Sequence, residues 1–502
     1  MTLADWSAWL PILVLATSLV SAVVIFILPE DRNVLRGSLN LLASLVKIGL
    51  VAVMIIGVYF EQNFETRFNL VGDIDFVLRA DALSLLFAGL SSLLWLFTTI
   101  YAMGYLGGTP NRGRFFGFFS LCVASTMGIS MAGNLFTFLI FFEMLTLSTY
   151  PLVVHKGSKA ALDSGRTYLI YTMAGGAVLL LGIAWLHSLV GAFDFAETGV
   201  LRDADPAIYG SLTIIFVLLI AGLGVKAAIV PLHGWLPKAM VAPAPVSALL
   251  HAVAVVKAGA FGIVRVIYNV YGVEFSQMLN LLLPLAVVAA ITILYGSLQA
   301  IRQTDLKKRL AFSTVSQVSY IILGLSLFGP IATIGGLVHL LHQGIMKVTL
   351  FFCAGLFAET IGVTKIKDLD GAGKRMPLTS AAFTIGAFGM IGIPPTAGFI
   401  SKWYIGWGAM EANAPWVLAV LLTSSALNAM YFLPIVHRLW FGTAPVSWPD
   451  EKIPFRRLET NPWLLWPAVI TAAFSIGAGL LAATGWSPLS WAELIAIREY
   501  LP

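Results

Sequence analysis

Seven ionisable side chains lie inside long apolar runs of this sequence, and their chemistry is the most informative feature of the chain. They are one glutamate and six bases: Glu143, Lys47, Lys226, Lys257, Arg265, Lys347 and Lys402. If the runs cross a membrane, each charge costs about 3 kcal/mol on insertion scales and must face protein or water. Burial also disfavours the charged form of both residue types, so such groups exchange protons more readily. This pattern predicts a proton relay.

The seven residues do not all favour function equally. Arg265 lies near the end of its apolar run, where a long side chain can reach the membrane surface, and this favours a structural role. Lys47 has no other polar anchor in its run, and both interpretations stay open for it. The remaining five, Glu143 and four lysines, are deep in their segments and are predicted to form the relay. Four lysines and one glutamate do not balance, so we expect some of the lysines to be neutral part of the time.

Histidines accompany three of the predicted relay lysines. His251 shares a run with Lys257, whereas His339 and His342 precede Lys347 and, three residues apart, share a helix face. Imidazole titrates near neutral pH, so these rings suit proton transfer. A single membrane histidine is often only a packing residue, but the clustering favours a relay. We add His233, which lies in the same segment as Lys226, as a supporting residue.

One proline interrupts the apolar run beside Lys226, and a pair of prolines interrupts the run beside Lys402. The first interruption is at Pro231 in VKAAIVPLHGWLPK (225–238), and the second is at Pro394 and Pro395 in IPPTAGFISK (393–402). Proline removes helix hydrogen bonds, so both helices should break there. Counted from Pro231 and from Pro395, each break is followed by glycine at +3, an aromatic residue at +4 and lysine at +7. Matched broken helices indicate an internal repeat with ion sites at the breaks; simple kinks in tight packing are the alternative.

The composition requires a membrane protein. Hydrophobic residues make up 59% of the 502 residues and charged residues only 11%, whereas soluble proteins contain about 25% charged residues. Because about 20 apolar residues span a bilayer, the sequence predicts about fourteen transmembrane helices in one all-α transmembrane domain, 1–502. The predicted spans are 8–28, 37–60, 80–106, 115–132, 135–154, 167–188, 210–230, 240–271, 276–299, 310–328, 331–357, 377–407, 416–437 and 462–485.

The positions of the basic residues test this count, because lysine and arginine concentrate in cytoplasmic loops. Alternate loops hold 20 of the 30 basic residues: Arg32, Arg36, Arg112, Arg114, Lys156, Lys159, Arg166, Lys238, Arg302, Lys307, Lys308, Arg309, Lys365, Lys367, Lys374, Arg375, Arg438, Lys452, Arg456 and Arg457. The other loops hold four: Arg67, Arg79, Arg202 and Arg498. This asymmetry predicts an inner (plasma) membrane protein with both termini on the non-cytoplasmic side. The net charge of +5 is thus explained by the basic loops that set the membrane orientation, and no nucleic-acid partner is predicted.

Motifs for other chemistry are missing from the sequence. No glycine-rich phosphate loop, paired thiols or carboxylate cluster is present, and Cys122 and Cys353 are far apart. The longest hydrophilic stretch, 442–461, is too short for a catalytic domain. We therefore predict no cofactor site, no metal site and no catalytic chemistry within the chain. It would be part of a translocase enzyme only inside a redox complex.

Four segments carry a resemblance to a known family: FFEM (141–144), the two broken-helix segments above, and SALLHAVAVVKAG (247–259). The chain is similar over about 104–440 to the proton-translocating antiporter family shared by complex I membrane-arm subunits, membrane-bound hydrogenases and Mrp cation/proton antiporters. The residues around Lys238 and Lys347 resemble those of D-type Mrp subunits, and Lys402 differs from the complex I subunit that has glutamate there.

The resemblance implies a mechanism for the ionisable residues. It implies a Glu143 to Lys226 ion pair in a first half-channel, approximately 113–271. Lys257 and His251 would link it to a second half-channel, approximately 272–440, that contains Lys347 and Lys402. The two halves would be inverted repeats flanked by the helices of 1–106 and 441–502. Many complex I relatives have histidine four residues before the lysine where this chain has Gln343, so His342 is the expected substitute.

The implied function is proton translocation in a multisubunit Na⁺/H⁺ antiporter, with other membrane subunits, lipid, protons and Na⁺ as partners. One alternative keeps the fold but drives the protons by electron transfer, in a hydrogenase or NADH/quinone oxidoreductase complex. Another is a stand-alone secondary transporter. The sequence leaves open the coupling ion, the direction of flow, the stoichiometry, the composition of the complex and the side to which each half-channel opens.

Overall fold

The computed structural model describes residues 3–452 and 458–500, and most of these are helical. Arg456 and Arg457 of the predicted basic loop lie outside the described residues. The elements are α1 (Leu3–Ile27), α2 (Asn33–Tyr59), β1 (Phe64–Val71), β2 (Ile74–Ala80), α3 (Ala82–Tyr105), α4 (Arg112–Met131), α5 (Leu135–Val153), α6 (Lys159–Val190), α7 (Tyr209–Ala227), α8 (Trp235–Lys238), α9 (Ala244–Ala248), α10 (Val255–Arg265), α11 (Val273–Met278), α12 (Leu282–Arg302), α13 (Leu306–Leu325), α14 (Pro330–Ile361), α15 (Ala372–Arg375), α16 (Pro377–Ile391), α17 (Ala397–Glu411), α18 (Trp416–Phe441), α19 (Pro462–Leu480) and α20 (Pro488–Tyr500).

The prediction of a polytopic all-α membrane protein is confirmed. Among the described residues, 12 helices are long and apolar enough to cross a membrane. The other two predicted spans are also helical but differ from the rest. The span 310–328 is α13, which has 20 residues and begins with charged side chains, and 377–407 consists of α16 and α17, with 15 residues each. A helix of 15 residues is only about 22 Å long, so these two halves must act together to cross a bilayer.

Hydrogen bonds between loops divide the chain into two faces. On one face, which we call the basic face, the Gly113 amide donates to Glu30 Oε1 at 2.9 Å, Lys307 Nζ to the Ala242 carbonyl at 2.6 Å, and the Gly371 amide to the Arg438 carbonyl at 2.8 Å. These bonds join the loops in which the basic residues were counted. The predicted alternation of loops is therefore present in the fold.

The opposite face, which we call the hairpin face, is built around the β1–β2 hairpin. Asn134 Nδ2 donates to the Asp75 carbonyl at 2.9 Å and Arg79 Nη1 to the Phe195 carbonyl at 2.9 Å. The Thr198 amide donates to Glu499 Oε2 at 3.0 Å, which places the end of α20 on this face as well. That the hairpin face is non-cytoplasmic stays a prediction from the charge asymmetry.

The hairpin was not predicted, yet it positions α5. Its strands are antiparallel, and the turn between Val71 and Ile74 has Gly72 at φ 60°. Leu78 forms a bridge with Ala132, just before α5. Asn134 then caps α5 by accepting the Thr137 amide at 2.8 Å. A cap satisfies one of the free amides of the first turn, so the start of the helix that carries Glu143 is held by the hairpin.

One helical rod, Ala244–Tyr271, is buried along its whole length, and we call it the central helix. It consists of α9, a π-helical segment Leu249–Val253, α10 and a second π-helical segment, Val266–Tyr271. The first π-helical segment contains His251 and α10 contains Lys257. π-helical turns are rare and often occur at functional sites, because the wider turn changes the direction of side chains.

Both predicted helix breaks are present. α7 ends at Ala227, and Ala228 is left-handed with φ 57°; α16 ends at Ile391, and Gly392 is left-handed with φ 93°. The Pro231 and Pro395 peptide bonds are both cis. The short helix α8 follows the first break, and α17 follows the second. The interruptions lie next to Lys226 and Lys402 along the chain, and Pro231, Pro394 and Pro395 themselves are exposed.

The order of helix lengths recurs along the chain. α4, α5 and α6 have 20, 19 and 32 residues, and α12, α13 and α14 have 21, 20 and 32 residues. In both series a broken helix follows, and then one more long helix: the central helix in the first series and α18 in the second.

Single-cysteine labelling tests the orientation of the two faces. We expect Asp203→Cys, exposed on the hairpin face, to react in intact cells with a membrane-impermeant maleimide, and Lys156→Cys, exposed on the basic face, to react only after lysis. Cys122 and Cys353 are fully buried, so the background labelling should be low. Labelling of Lys156→Cys in intact cells would show that the orientation is opposite to the predicted one.

Candidate functional site

The five predicted relay residues lie within or at the ends of helices and are buried or half-buried. Lys226, Lys257 and Lys347 have no exposed surface, and Glu143 and Lys402 are half-buried. They are carried by α5, α7, the central helix, α14 and α17. The fold therefore holds all five within its helical bundle. Their immediate partners differ from those expected.

Glu143 and Lys226 do not form the ion pair that the family resemblance implied. In the described residues no nitrogen of Lys226 lies within 4.0 Å of a Glu143 oxygen. Lys226 Nζ instead donates to the Phe142 carbonyl and lies 3.4 Å from the centroid of the Phe142 ring. The ammonium group of Lys226 thus interacts with the carbonyl and the ring of Phe142, the residue before Glu143. The expectation of a closed pair is wrong for this conformation.

The Glu143 carboxylate is enclosed without a hydrogen-bond partner. Both oxygens are buried and unpaired in the described part of the chain. The carboxylate packs on Gly176 of α6, where an added Cβ would overlap Oε1. Gly176 is thus part of the site, because any side chain there would occupy the space of the carboxylate.

The central helix connects to α14 through backbone carbonyls. Lys257 Nζ donates to the Leu340 carbonyl at 2.7 Å, and Gln343 Nε2 to the His251 carbonyl at 3.4 Å. The His251 ring stacks on Phe351 with 4.5 Å between centroids, and neither of its nitrogens has a partner in the described residues. The residue that departs from the family pattern, Gln343, is therefore the one that contacts the His251 segment.

Lys347 points to α13. Its Nζ donates to Ser313 Oγ and, at 3.3 Å, to the Leu310 carbonyl. Ser313 was not predicted as a site residue. The sequence contains a signal for it, because Ser313, Gln317 and Tyr320 are spaced by three or four residues and so share one face of α13. Neutral polar residues at helical spacing in an apolar span are the feature that a search for charges overlooks.

Lys402 is held by the broken end of α16. Its Nζ donates to the Met390 carbonyl at 2.8 Å, the Ile391 carbonyl at 2.9 Å and Ser425 Oγ at 3.1 Å. The last carbonyls of a helix lack partners within the helix, so the break supplies acceptors to the ammonium group. Two further side chains also donate to the Met390 carbonyl, Asn428 at 3.0 Å and Gln317 at 3.4 Å.

The two lysines at position +7 after the breaks are not equivalent. Lys402 is inserted between helix ends, whereas Lys238 is exposed on the basic face. In the first break the Trp235 indole donates to the Val225 carbonyl at 2.7 Å. An indole thus takes an acceptor at the end of α7 that corresponds to those used by Lys402. The short sequence match locates the breaks but does not assign the lysines.

The predicted histidines have different surroundings. His339 Nδ1 is 2.7 Å from Ser401 Oγ, beside Lys402, and its ring lies 5.3 Å from that of Tyr320. His342 is buried and neither ring nitrogen has a partner among the described residues. His233 is half-buried against Tyr295, at 5.0 Å between centroids, on the basic-face side of the first break.

Several buried polar side chains of the elements that carry the lysines, or that pack on them, have atoms without a hydrogen-bond partner among the described residues. In the described residues they belong to Glu143, His251, Gln317, Tyr320, His339, His342 and Gln343. Buried polar groups in proteins nearly always have hydrogen-bond partners, which are often ordered water molecules. Such donors and acceptors are the groups that a hydrated path between the amines would need.

Lys47 and Arg265 lie outside this path. Arg265 makes a two-pronged ion pair with Asp81, at 2.7 and 2.9 Å, and also donates to Asn269 at 2.7 Å. These contacts fit the structural role favoured for it. Lys47 is fully buried, donates to Ser18 Oγ at 2.6 Å and lies 4.3 Å from the Trp95 ring centroid.

Two protein-family models match this chain, and one of them covers the candidate site. Residues 132–428 match the family model described as NADH:quinone oxidoreductase/Mrp antiporter, TM, and residues 68–116 match NADH-Ubiquinone oxidoreductase (complex I), chain 5 N-terminus. The first match contains all five relay candidates.

Curated relatives cover most of the chain. NADH-quinone oxidoreductase subunit N of Desulforudis audaxviator is 37% identical over 405 residues, which is 78% of this chain and 78% of the relative. The D-type chain of the Na(+)/H(+) antiporter of Bacillus subtilis is 26% identical over 485 residues, which is 95% of this chain and 94% of the relative. Hydrogenase-4 component B of Escherichia coli is 32% identical and covers 88% of this chain and 68% of its own length.

The fold is that of a chain in the solved Mrp complex from Dietzia sp., with a TM-score of 0.87 at 24% identity over 100% of this chain and 98% of that chain. A chain of the membrane-bound sulfane sulfur reductase, an archaeal respiratory membrane complex, gives a TM-score of 0.85 at 24% identity, over 98% and 97% of the two chains.

Substitution of Gly176 tests whether the packing around Glu143 sets its position. We expect Gly176→Ala to displace the carboxylate and to lower ion transport strongly while leaving the chain folded, because the obstructing atoms belong to a side chain. Gly210→Ala is the matched control, since an added Cβ there meets nothing within 4 Å. Transport in membrane vesicles, normalised to the amount of assembled protein, measures the effect. Equal transport by the two variants would contradict this role.

Proposed function

We propose that this chain, which belongs to the NADH:quinone oxidoreductase/Mrp antiporter transmembrane family, is a proton-translocating subunit of a multisubunit Na⁺/H⁺ antiporter. The observation that carries the proposal is the set of four buried or half-buried amines, each hydrogen-bonded to a backbone carbonyl, in a fold that also buries unpaired polar side chains. The similarity to the Bacillus subtilis Na(+)/H(+) antiporter chain over nearly the full length of both proteins supports the antiporter assignment.

In this mechanism, protons move along Glu143, Lys226, Lys257, Lys347 and Lys402. A carbonyl accepts a hydrogen bond from the ammonium form and has no proton to exchange, so each lysine can release its proton without leaving a buried carboxylate unpaired. A change of charge at one site alters the proton affinity of the next, because charges interact strongly where water is scarce. The unpaired histidine, glutamine and tyrosine groups would hold the water molecules that carry the proton between amines.

Glu143 and Lys226 would act as the gate. When the carboxylate and the amine approach each other, the charged lysine is stabilised; when they separate, its proton is released onward. The structure has the separated arrangement, with Lys226 on the Phe142 carbonyl. To form the ion pair, the ammonium group has to leave the Phe142 carbonyl and ring. Phe142 would therefore hold the amine away from Glu143 in the open state of the gate.

We further propose that the chain contains two inverted repeats, approximately 113–271 and 272–440, with flanking helices on either side. The recurring helix lengths support this division. Each series has five membrane crossings, and an odd number places the second unit upside down relative to the first. Lys226 lies just before the first break and Lys402 after the second, so the repeats provide similar scaffolds with differently placed amines.

Large apolar side chains are exposed along the outer helices, including Leu42, Leu45, Leu422 and Met430. Lipid and the other membrane subunits of a hetero-oligomeric complex are the partners we propose for these surfaces. The bacterial relatives place such a complex in the plasma membrane.

A redox-driven proton pump is the second candidate function. It is favoured by the 37% identity with NADH-quinone oxidoreductase subunit N and by the similarity to Hydrogenase-4 component B. Purification of the native complex and mass spectrometry of its subunits separate the two functions. Small Mrp-type subunits would support the antiporter, whereas nickel or iron–sulfur subunits would support the redox pump.

Removal of either gate residue should abolish transport. We expect Glu143→Ala and Lys226→Ala complexes to assemble but to show no Na⁺-driven pH change in everted vesicles, because the first exchange of charge is lost. Lys238→Ala is the control: this lysine belongs to the same broken segment but is exposed. Full antiport by either gate variant would refute the gate.

Exchange of the lysine at the second break tests whether that site needs a proton. Two of the three acceptors around Lys402 are carbonyls, and a glutamate at this position can bond to these carbonyls only in its protonated form. We therefore expect Lys402→Glu to retain partial transport that declines as the pH rises, and Lys402→Met to be inactive. Full activity of Lys402→Met would exclude the site from the relay, and unchanged Na⁺ coupling in Lys402→Glu would argue against Na⁺ binding there.

A further inference from the structure

A polar cavity of about 770 Å³ opens on the hairpin face beside the outer end of the central helix. Its wall contains charged groups of both signs from the hairpin, the loop after α6, the central helix and α20: Arg79, Asp81, Glu197, Arg265, Arg498 and Glu499. Glu61, Gln62 and Asn63, which are exposed, line its mouth. The cavity is separate from the five relay residues, none of which lines it.

Glu499 is the one glutamate of this wall that is almost completely buried, with 6% of its surface exposed. Its Oε1 accepts Asn269 Nδ2 at 2.9 Å and its Oε2 accepts the Thr198 amide at 3.0 Å. Asn269 belongs to the π-helical segment that ends the central helix. The carboxyl group thus fastens α20 to the central helix and to the loop after α6.

No cation neutralises Glu499 directly. Arg265, the nearest guanidinium on the central helix, is engaged by both oxygens of Asp81, and Arg498 on α20 itself lies 4.0 Å from Glu197. In the described residues Glu499 has no salt bridge. Burial is the largest effect and, together with the negative charge of Asp81, it outweighs the Thr198 and Asn269 hydrogen bonds and Arg265, and raises the pKa of Glu499 to about 7.

We propose that Glu499 is a regulatory proton site, filled from the hairpin-face cavity, that controls how firmly α20 is docked on the central helix and α14. Docking removes the carboxyl group from water, so the protonated form stabilises the docked helix and the ionised form weakens it. The proposal goes beyond the relay, because the site lies outside it and its ligand is a proton from the aqueous phase on one face.

The raised pKa of Glu499 determines how the docking of α20 depends on pH. A carboxyl group whose pKa is higher when docked than when free, about 7 against 4.5, binds protons more tightly in the docked state. Docking is therefore most stable at low pH. It weakens as the pH rises above the pKa of the free carboxyl group, and it changes little above the pKa of the docked one. Alkaline conditions on the hairpin face loosen α20.

The next residue connects this site to the helix that carries the centre of the relay. Tyr500 Oη lies 2.9 Å from Thr333 Oγ1 of α14 and accepts the Gly329 amide at 3.2 Å, and Thr333 Oγ1 is 2.6 Å from Tyr268 Oη of the central helix. His339, His342 and Lys347 follow on α14. Release of α20 would free these hydroxyl contacts at the outer ends of both helices, and so alter the restraint on the relay segments.

Hydrogen–deuterium exchange of the purified complex tests the proposal without requiring transport, so its outcome is independent of the proposed function. Between pH 6 and pH 8, after correction for intrinsic exchange rates, we expect the protection of α20 to fall about tenfold, as the two pKa values dictate. Glu499→Gln resembles the protonated acid, so its α20 should be protected at both pH values. Glu197→Gln, an exposed glutamate of the same wall, should leave the pH dependence unchanged.

Three results would overturn the proposal. The first is constant protection of α20 in the unmodified chain across this range. The second is the same tenfold change in Glu499→Gln, which would assign the effect to another group. The third is an unprotected α20 in Glu499→Gln at pH 6, because it would show that the ionised carboxylate, and not the neutral form, holds the helix.

Discussion

The cost of placing an amine in the middle of a membrane governs this structure. Four lysines are buried there, and in the described residues none of them forms a salt bridge. Each donates to a main-chain carbonyl instead: Phe142 for Lys226, Leu340 for Lys257, Leu310 for Lys347, and Met390 with Ile391 for Lys402. Neutral acceptors stabilise the ammonium form less than a carboxylate does, and they leave no uncompensated charge when the proton departs. The helices α5, α13 and α14 supply the acceptors of the first three lysines, and the broken end of α16 supplies those of Lys402.

Most of the architecture could be predicted from the sequence because the signals for membrane spans are strong. Apolar length located every crossing, the basic residues located the loops of one face, and prolines located both breaks. The hairpin was missed although Phe64–Ala80 alternates apolar and polar residues around Val71-Gly72-Asp73-Ile74, since a search for spans ignores two short strands. The C-terminal helix α20 was missed because it is too short and too polar to resemble a span.

The sequence identified candidate residues for the site but not their contacts. Charged residues in apolar runs identified Glu143 and the lysines, and the fold gathers them. The Glu143 to Lys226 ion pair, which the family resemblance implied, is not closed in this structure, because the flexible lysine turns towards the Phe142 carbonyl. Gly176, Ser313 and Gln317 could not be recognised from charge, since their importance comes from the space or the neutral hydrogen bonds that they supply. Lys402 and Lys238 share a motif, and only the packing separates a buried group from a surface one.

The Met390 carbonyl has one more consequence. Three donors converge on it, from Lys402, Asn428 and Gln317, whereas a carbonyl oxygen has two lone pairs. The three bonds therefore compete, and the loss of any one lets the other two shorten. Movement of the Lys402 amine away from this oxygen is compensated locally by the two amides that stay behind. An acceptor shared in this way lowers the enthalpic cost of moving the amine, so the end of α16 can hold the Lys402 side chain and still release it.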